Sequence, residues 1–224
     1  MNKVIVVAPH ADDEIIGCGA TMAKHIKNGD EVYVIIATNA SKGAPDLYNE
    51  EIVANIRNEA LHAHNFLRIT KTFFLDFPAP ALNAFPEFEI SMELLNVFSQ
   101  VMPNILYLPH SGDIHQDHKA IYRASLVAAR PQGNNKLERI YCYETLSETE
   151  WTPMSEKPFV PNHFVDVSDV FELKCKAMGF YKSQIKVFPH SRSLDTFEAL
   201  AMYRGSTIGV KRAEAFTVER QIVV

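Results

Sequence analysis

The chain opens on "KVIVVAP", residues 3–9, apolar at odd and even positions alike. A strand covered on one face alternates apolar and polar residues, so a run without alternation predicts a strand buried on both faces. Four further runs of this kind follow: "EVYVIIAT", "KTFFLDF", "NILYLP" and "ERIYCYET". Between them the apolar positions recur at helical spacing. "GCGATMAKHIKNG" reads as a helix closed by Gly29, and residues 49–67 read as a second. "ISMELLNVFSQVM" is a third and "DHKAIYRASLVAA", stopped by Pro131, a fourth. Strands alternating with helices imply a mainly parallel sheet with helices on both faces. The last third predicts a helix in "SDVFELKCKAMGFYKSQI" with Ser168 as its N-cap and another in "DTFEALAMYRG" ended by Gly205. "AEAFTVERQIV" follows as an extended tail. The proline-rich "DFPAPALNAFPEFE" reads as an ordered loop. No linker composition interrupts the pattern, so residues 1–224 are expected to form one domain.

Composition narrows the class without naming it. With 224 residues, 47% hydrophobic and 22% charged, the chain has the balance of a globular enzyme and enough length for a sizeable core. A formal net charge of -5 with no basic block does not favour nucleic-acid binding. Cys18, Cys142 and Cys175 are odd in number and form no CxxC pair, which fits reduced thiols. No apolar stretch is long enough to span a bilayer, and the start of the chain has no signal-peptide pattern; a cytoplasmic protein is expected.

The chemistry concentrates where strands end. Straight after the first strand stand His10, Asp12, Asp13 and Glu14, and after the fourth, "PHSGDIHQDHKA" supplies His110, Asp113, His115, Asp117 and His118. Ligands of open α/β sheets bind outside the carboxyl ends of the strands, so the two clusters are expected to share one site. His10 and Asp13, three apart in a tight turn, can converge on a cation, and His118 can add a third ligand from across the sheet. Two histidines and a carboxylate suit zinc or another divalent metal and leave a position for water. Asp12 would act as general base, His115 as oxyanion partner or proton donor, and Asp117 would orient a histidine. A lone Asp12 or Asp13 would as readily cap a helix, but capping leaves three histidines at one edge unexplained. Gly17 and Gly19 lack the third glycine of a dinucleotide loop and read as close helix packing. His25, His62, His64, His163 and His190 have no ligand spacing and read as surface or packing residues.

"PHADDE" resembles the H-P-D-D-E signature of the LmbE/PIG-L de-N-acetylase family, and "HQDH" resembles its H-x-D-H signature. The likeness extends through "GDEVYVIIATNASKG", "EALHAHNFL", "FLDFP", "FVDVSDVFELKCKAMGFYKSQ" and "YRGSTIGVKRAEAF". It implies a Rossmann-like layered fold with the site at the ends of strands one and four. It also implies a zinc-dependent hydrolase that removes acetyl from an N-acetylated amino sugar or its conjugate. By position the family's metal ligands fall on His10, Asp13 and His118, its base on Asp12 and its oxyanion histidine on His115. Relatives often form trimers or hexamers, so the resemblance also implies a homo-oligomer of that kind. Ala11 stands where the family has proline, and Arg57 lies two residues before Glu59 where the family's sugar-binding arginine lies three before. Arg212 stands where relatives often carry an aromatic residue, which implies an altered substrate end. Arg57, His110 and Asp113 are the candidate substrate contacts. The competing expectations are a metal amidase or esterase for a non-sugar acyl compound, and an inactive sugar-binding module.

Overall fold

In the computed structural model, which describes residues 1–133, 137–153 and 155–223, the first strand, β1 (Lys3–Ala8), is the centre of the sheet. Val4, Val6 and Ala8 face one apolar core and Ile5 and Val7 the other, which is why the run shows no alternation. The elements then follow as α1 (Asp13–Lys27), β2 (Glu31–Asn39), α2 (Ala40–Gly43), α3 (Glu50–Leu67), β3 (Lys71–Pro78), α4 (Glu87–Val101), β4 (Ile105–Pro109), α5 (Gln116–Ala128), β5 (Arg139–Tyr143), β6 (His163–Asp166), α6 (Phe171–Met178), α7 (Leu194–Ser206) and β7 (Ala213–Gln221). The sheet order is β3-β2-β1-β4-β5-β7-β6. The first five strands run parallel, and β7 pairs antiparallel with both β5 and β6. Helices α1, α3, α6 and α7 pack on one face, α4 and α5 on the other.

From β1 the chain moves outward to β2 and β3, then crosses back to β4 on β1's other side. That reversal leaves a crevice between the carboxyl ends of β1 and β4. Gly17 lets α1 lie close over it: a Cβ there would stand 2.2 Å from the Tyr143 ring, and Tyr143 donates to the Val7 carbonyl at 2.8 Å. Gly29 follows α1 with φ 84°, the left-handed turn that closes the helix.

The structure departs from the sequence pattern at several element ends. α1 starts at Asp13, not Gly17, because Asp13 and Glu14 are favourable in a helix's first turn. α6 is a short helix capped by Val170; Ser168 is no cap, since its hydroxyl donates to Asp166 at 2.6 Å and accepts from the Arg212 N–H at 3.1 Å. Gly205 lies inside α7, where a Cβ would meet the Val210 carbonyl at 2.7 Å. The proline-rich segment holds a 3-10 turn at Leu82–Ala84 and the start of α4. The half-exposed, four-residue β6 gave no strand signal.

Candidate active site

The turn from β1 into α1 carries the first cluster on a backbone under tension. Asp12 has φ 128° and ψ -28°, a region that residues with a Cβ rarely occupy. Its N–H donates to Glu14 Oε2 at 3.1 Å. The Glu14 carboxylate is fully buried, and its Oε1 receives the Tyr181 hydroxyl and lies 3.1 Å from His64 Nε2. His64 Nδ1 lies 2.8 Å from the Thr72 hydroxyl. His64 is therefore no surface residue: it is 2% exposed and belongs to the support under Asp12. Asp12 occupies the N-cap position of α1, but neither aspartate's side chain caps the helix. Asp12 makes no side-chain cap bond, and Asp13 Oδ2 accepts from the N–H of His10 at 2.9 Å.

The second cluster arrives from the loop after β4. His118 Nε2 and His10 Nδ1 each lie 3.3 Å from Asp13 Oδ2. The far nitrogen of each ring is held by a carboxylate: His10 Nε2 by Asp117 at 3.0 Å and His118 Nδ1 by Asp113 at 2.8 Å. Each nearer carboxylate holds a proton on the nitrogen it touches, so His10 Nδ1 and His118 Nε2, which face Asp13, are the nitrogens left to bind a cation in place of a second proton. Asp13 Oδ1 and His118 Nε2 are buried without a hydrogen-bond partner. Orphaned buried groups of this kind are costly unless something positive binds them. Three donors of these types suit a divalent cation.

The ring nitrogens of His10, His115 and His118 also lie within 4.8 Å of one another. Hydrogen bonding separates His115 from the other two. As N-cap of α5 it accepts the Asp117 N–H on Nδ1 at 3.1 Å, which leaves the proton on Nε2 and makes that nitrogen a donor. Asp117 itself is fully buried, accepts the Leu82 N–H at 3.0 Å and holds His10. It is not in the lining of the cavity that His10 and His115 border.

The electrostatics express the same demand for positive charge. Burial opposes a proton on His10, but Asp117 and Asp13 outweigh it and raise its pKa to about 9. Burial likewise opposes a proton on His118, and Asp13 and Asp113 raise it to about 10. Asp13, against its burial, is held well below the usual carboxylate range by His118 and His10. Burial pushes Asp12 up to about 7, with Arg192 pulling the other way. Burial and the neighbouring His10 and His118 push His115 down to about 4, so it is neutral at pH 7.

His10, Asp12 and His115 floor a cavity of about 360 Å³. Ala40, Ala44, Leu47, Tyr48, Val53 and Ile56 form an apolar wall, while Arg57, Glu148, Gln184 and Arg192 supply polar groups. Arg57 pairs with Asp76 and lies over the Phe74 ring at 4.7 Å. Two expected substrate contacts lie outside this cavity's lining. His110 is 1% exposed and bonded to the Lys157 carbonyl at 2.9 Å; Asp113 is fully buried between His118 and the Thr149 hydroxyl, 2.6 Å away. The loop after β4 turns both side chains into the protein. Arg212 pairs with Glu198 at 2.7 Å and lies outside the cavity lining. Arg192, Glu148 and Tyr48 were missed by the sequence reading because they come from irregular segments and carry no local pattern.

The profile of the PIG-L family, described as GlcNAc-PI de-N-acetylase, matches residues 5–129. The chain is 27% identical over 222 residues to the diacetylchitobiose deacetylase of Thermococcus kodakarensis, covering 96% of this chain and 82% of that one. It superposes on the conserved protein TT1542 of Thermus thermophilus with a TM-score of 0.78 at 26% identity, covering 100% and 97% of the two chains. It also superposes on GalB, the 4-carboxy-2-hydroxymuconate hydratase of Pseudomonas putida, with a TM-score of 0.79 at 19% identity, covering 100% and 98%. A hydratase on the same scaffold means that the fold alone does not select the reaction.

Proposed function

The chain belongs to the PIG-L family, and on that footing we propose that it hydrolyses the acetamide of an N-acetylated amino sugar or its conjugate. One observation carries this reading. Two carboxylate-held histidines turn their free nitrogens onto Asp13, while Asp12 and a neutral histidine donor stand beside them on a cavity floor. His10 Nδ1, Asp13 and His118 Nε2 would hold one divalent cation. Zinc is the first choice; iron(II), cobalt and nickel suit the same donors. When bound, the cation would polarise the amide carbonyl and bring a water's pKa to roughly 7.

The chain's own groups complete the reaction. Asp12 takes the proton of the attacking water, and a C–O bond forms at the acetyl carbon. His115 Nε2–H donates to the carbonyl oxygen as it gains charge; a neutral imidazole does this without itself titrating at pH 7. The C–N bond then breaks, the proton held by Asp12 passes to the leaving amine, and acetate remains. Asp113 and Asp117 keep the two ligand histidines in the required tautomer. Arg57 and the apolar wall line the sugar's side of the cavity.

We take residues 1–224 as one catalytic unit in the cytoplasm. The sheet runs unbroken from β3 to β6, and Cys18, Cys142 and Cys175 are unpaired. Among the described residues no helix is long and apolar enough to cross a membrane.

The test is acetate release from N-acetylglucosamine derivatives, free and conjugated, by protein as purified, stripped of metal, and restored with zinc. Release that disappears on stripping and returns with zinc is the expected result. Metal-loaded protein that releases no acetate from any of them would overturn the reading in favour of a non-sugar acyl substrate, a hydration reaction or a binding role.

A further inference from the structure

Arg192 comes from the irregular segment between α6 and α7, yet it is tied down at every level. Its N–H donates to His190 Nδ1 at 3.0 Å, and its carbonyl accepts from Lys186 at 3.1 Å, which closes the segment on itself. Its Nε donates to the Ser147 hydroxyl at 2.7 Å, on the loop after β5. Its Nη1 donates to Asp12 Oδ2 at 2.9 Å and reaches Gln184 Oε1 at 3.4 Å. Glu148 lies 3.7 Å from Nη2. The side chain is 19% exposed, so the guanidinium joins three segments in a largely dry place.

We infer that Arg192 is the positioning residue for Asp12: by taking Oδ2 it fixes the plane of the carboxylate and presents Oδ1 to the attacking water. The assignment rests on Asp12 being the proton acceptor proposed above. It follows from what Asp12 lacks without it. The residue sits on a strained turn whose backbone N–H is held by Glu14. Its carboxylate shares that turn with the carboxylates of Asp13 and Glu14, which repel it. Glu14 holds the backbone N–H, and Arg192, which lines the same cavity as Asp12, holds the side chain. A planar fork already anchored through Nε delivers Nη1 in one orientation. A lysine ammonium cannot span Ser147 and Asp12 together. Arg192 touches no reacting atom in this scheme; it acts through Asp12.

The experiment compares the wild type with Arg192→Ala and Arg192→Lys under steady-state kinetics, with metal content measured in parallel. In Arg192→Ala, kcat is expected to fall about 100-fold, the scale of a catalytic group displaced by about 1 Å. KM should move less than about threefold and bound metal should be unchanged. Arg192→Lys should recover little. Added guanidinium ion at millimolar concentration should restore roughly tenfold of the lost kcat in Arg192→Ala and nothing in Asp12→Asn. An intact kcat overturns the inference. So does a raised KM at unchanged kcat, which would make Arg192 a substrate contact. So does a loss that guanidinium does not repair, which would make it a structural tie. A wild type that releases no acetate overturns the deacetylase reading instead. The clamp is then read directly by calorimetry: guanidinium should bind Arg192→Ala and not Arg192→Ala/Asp12→Asn, and equal binding to both would overturn it.

Discussion

Both ends of α1 hold a histidine against a carboxylate beside a cavity of about 360 Å³, and only one end has the makings of a reactive site. At its C-terminal end His25 Nδ1 meets Asp30 at 2.7 Å, and Nε2 meets the Tyr107 hydroxyl at 3.0 Å. Asp30 also receives the Asn2 N–H at 2.7 Å. The network is closed: both ring nitrogens have partners, and the atom left over in that cavity's lining is the neutral hydroxyl of Thr21. Burial lowers the His25 pKa, and Asp30 only partly offsets that. At the N-terminal end the orphans are a carboxylate oxygen of Asp13 and a ring nitrogen of His118, and the histidines rise to about 9 and 10. Residue type and cavity size are the same at the two ends. What separates them is whether the buried polar atoms already have partners.

The largest effect should come from closing the open end. Asp13→Asn replaces the shared carboxylate by an amide that donates to one histidine, and metal should be lost outright. Elemental analysis after gel filtration is expected to give near-zero metal, with acetate release down by at least about 10³-fold. Metal retained at the wild-type level would remove Asp13 from the ligand set. Next comes Asp12→Asn, which leaves the orphans untouched. It should keep its metal and lose about 10²- to 10⁴-fold in kcat, the usual contribution of a positioned base. Turnover surviving in that variant sinks the role of Asp12. Smaller again is Asp113→Asn, which frees the His118 tautomer without removing a ligand. A competition titration against a chelator should record metal affinity about 10- to 100-fold weaker. No change would mean that His118 is oriented by packing alone.

The contrast between the two ends also explains what the sequence could reveal. Parallel βα alternation was legible because buried strands and amphipathic helices have distinct periods, and that alternation locates the crevice between β1 and β4. The acids and histidines were legible because they crowd into two short turns at that edge. His25 and His64 look alike in sequence, two histidines on helices without ligand spacing. One closes a pair with Asp30, five residues away; the other supports Glu14 from 50 residues away. No local pattern encodes the second. Arg192 reaches Asp12 across 180 residues from an irregular segment, and the inward turn of His110 and Asp113 was not legible because periodicity does not tell which way a loop side chain turns. Long-range partners depend on tertiary packing, which no window of sequence contains.

The smallest expected effect lies at the closed end and has the sign of a satisfied, metal-independent histidine. His25 has a folded pKa below its unfolded value of 6.5, so the unfolded chain binds the proton more readily. Its contribution to stability is then complete above about pH 6.5 and is lost as pH falls through that value. His25→Gln removes this dependence along with the bond to Asp30. In thermal melts at pH 7.5 and pH 5.5 the wild type should lose more stability between the two than His25→Gln does. Zinc should raise both proteins' melting temperatures equally, because binding at the open end stabilises by mass action and His25 takes no part in it. A His25→Gln protein that responds differently to zinc would join the two ends of α1 energetically, and the division between an open and a closed network would fail.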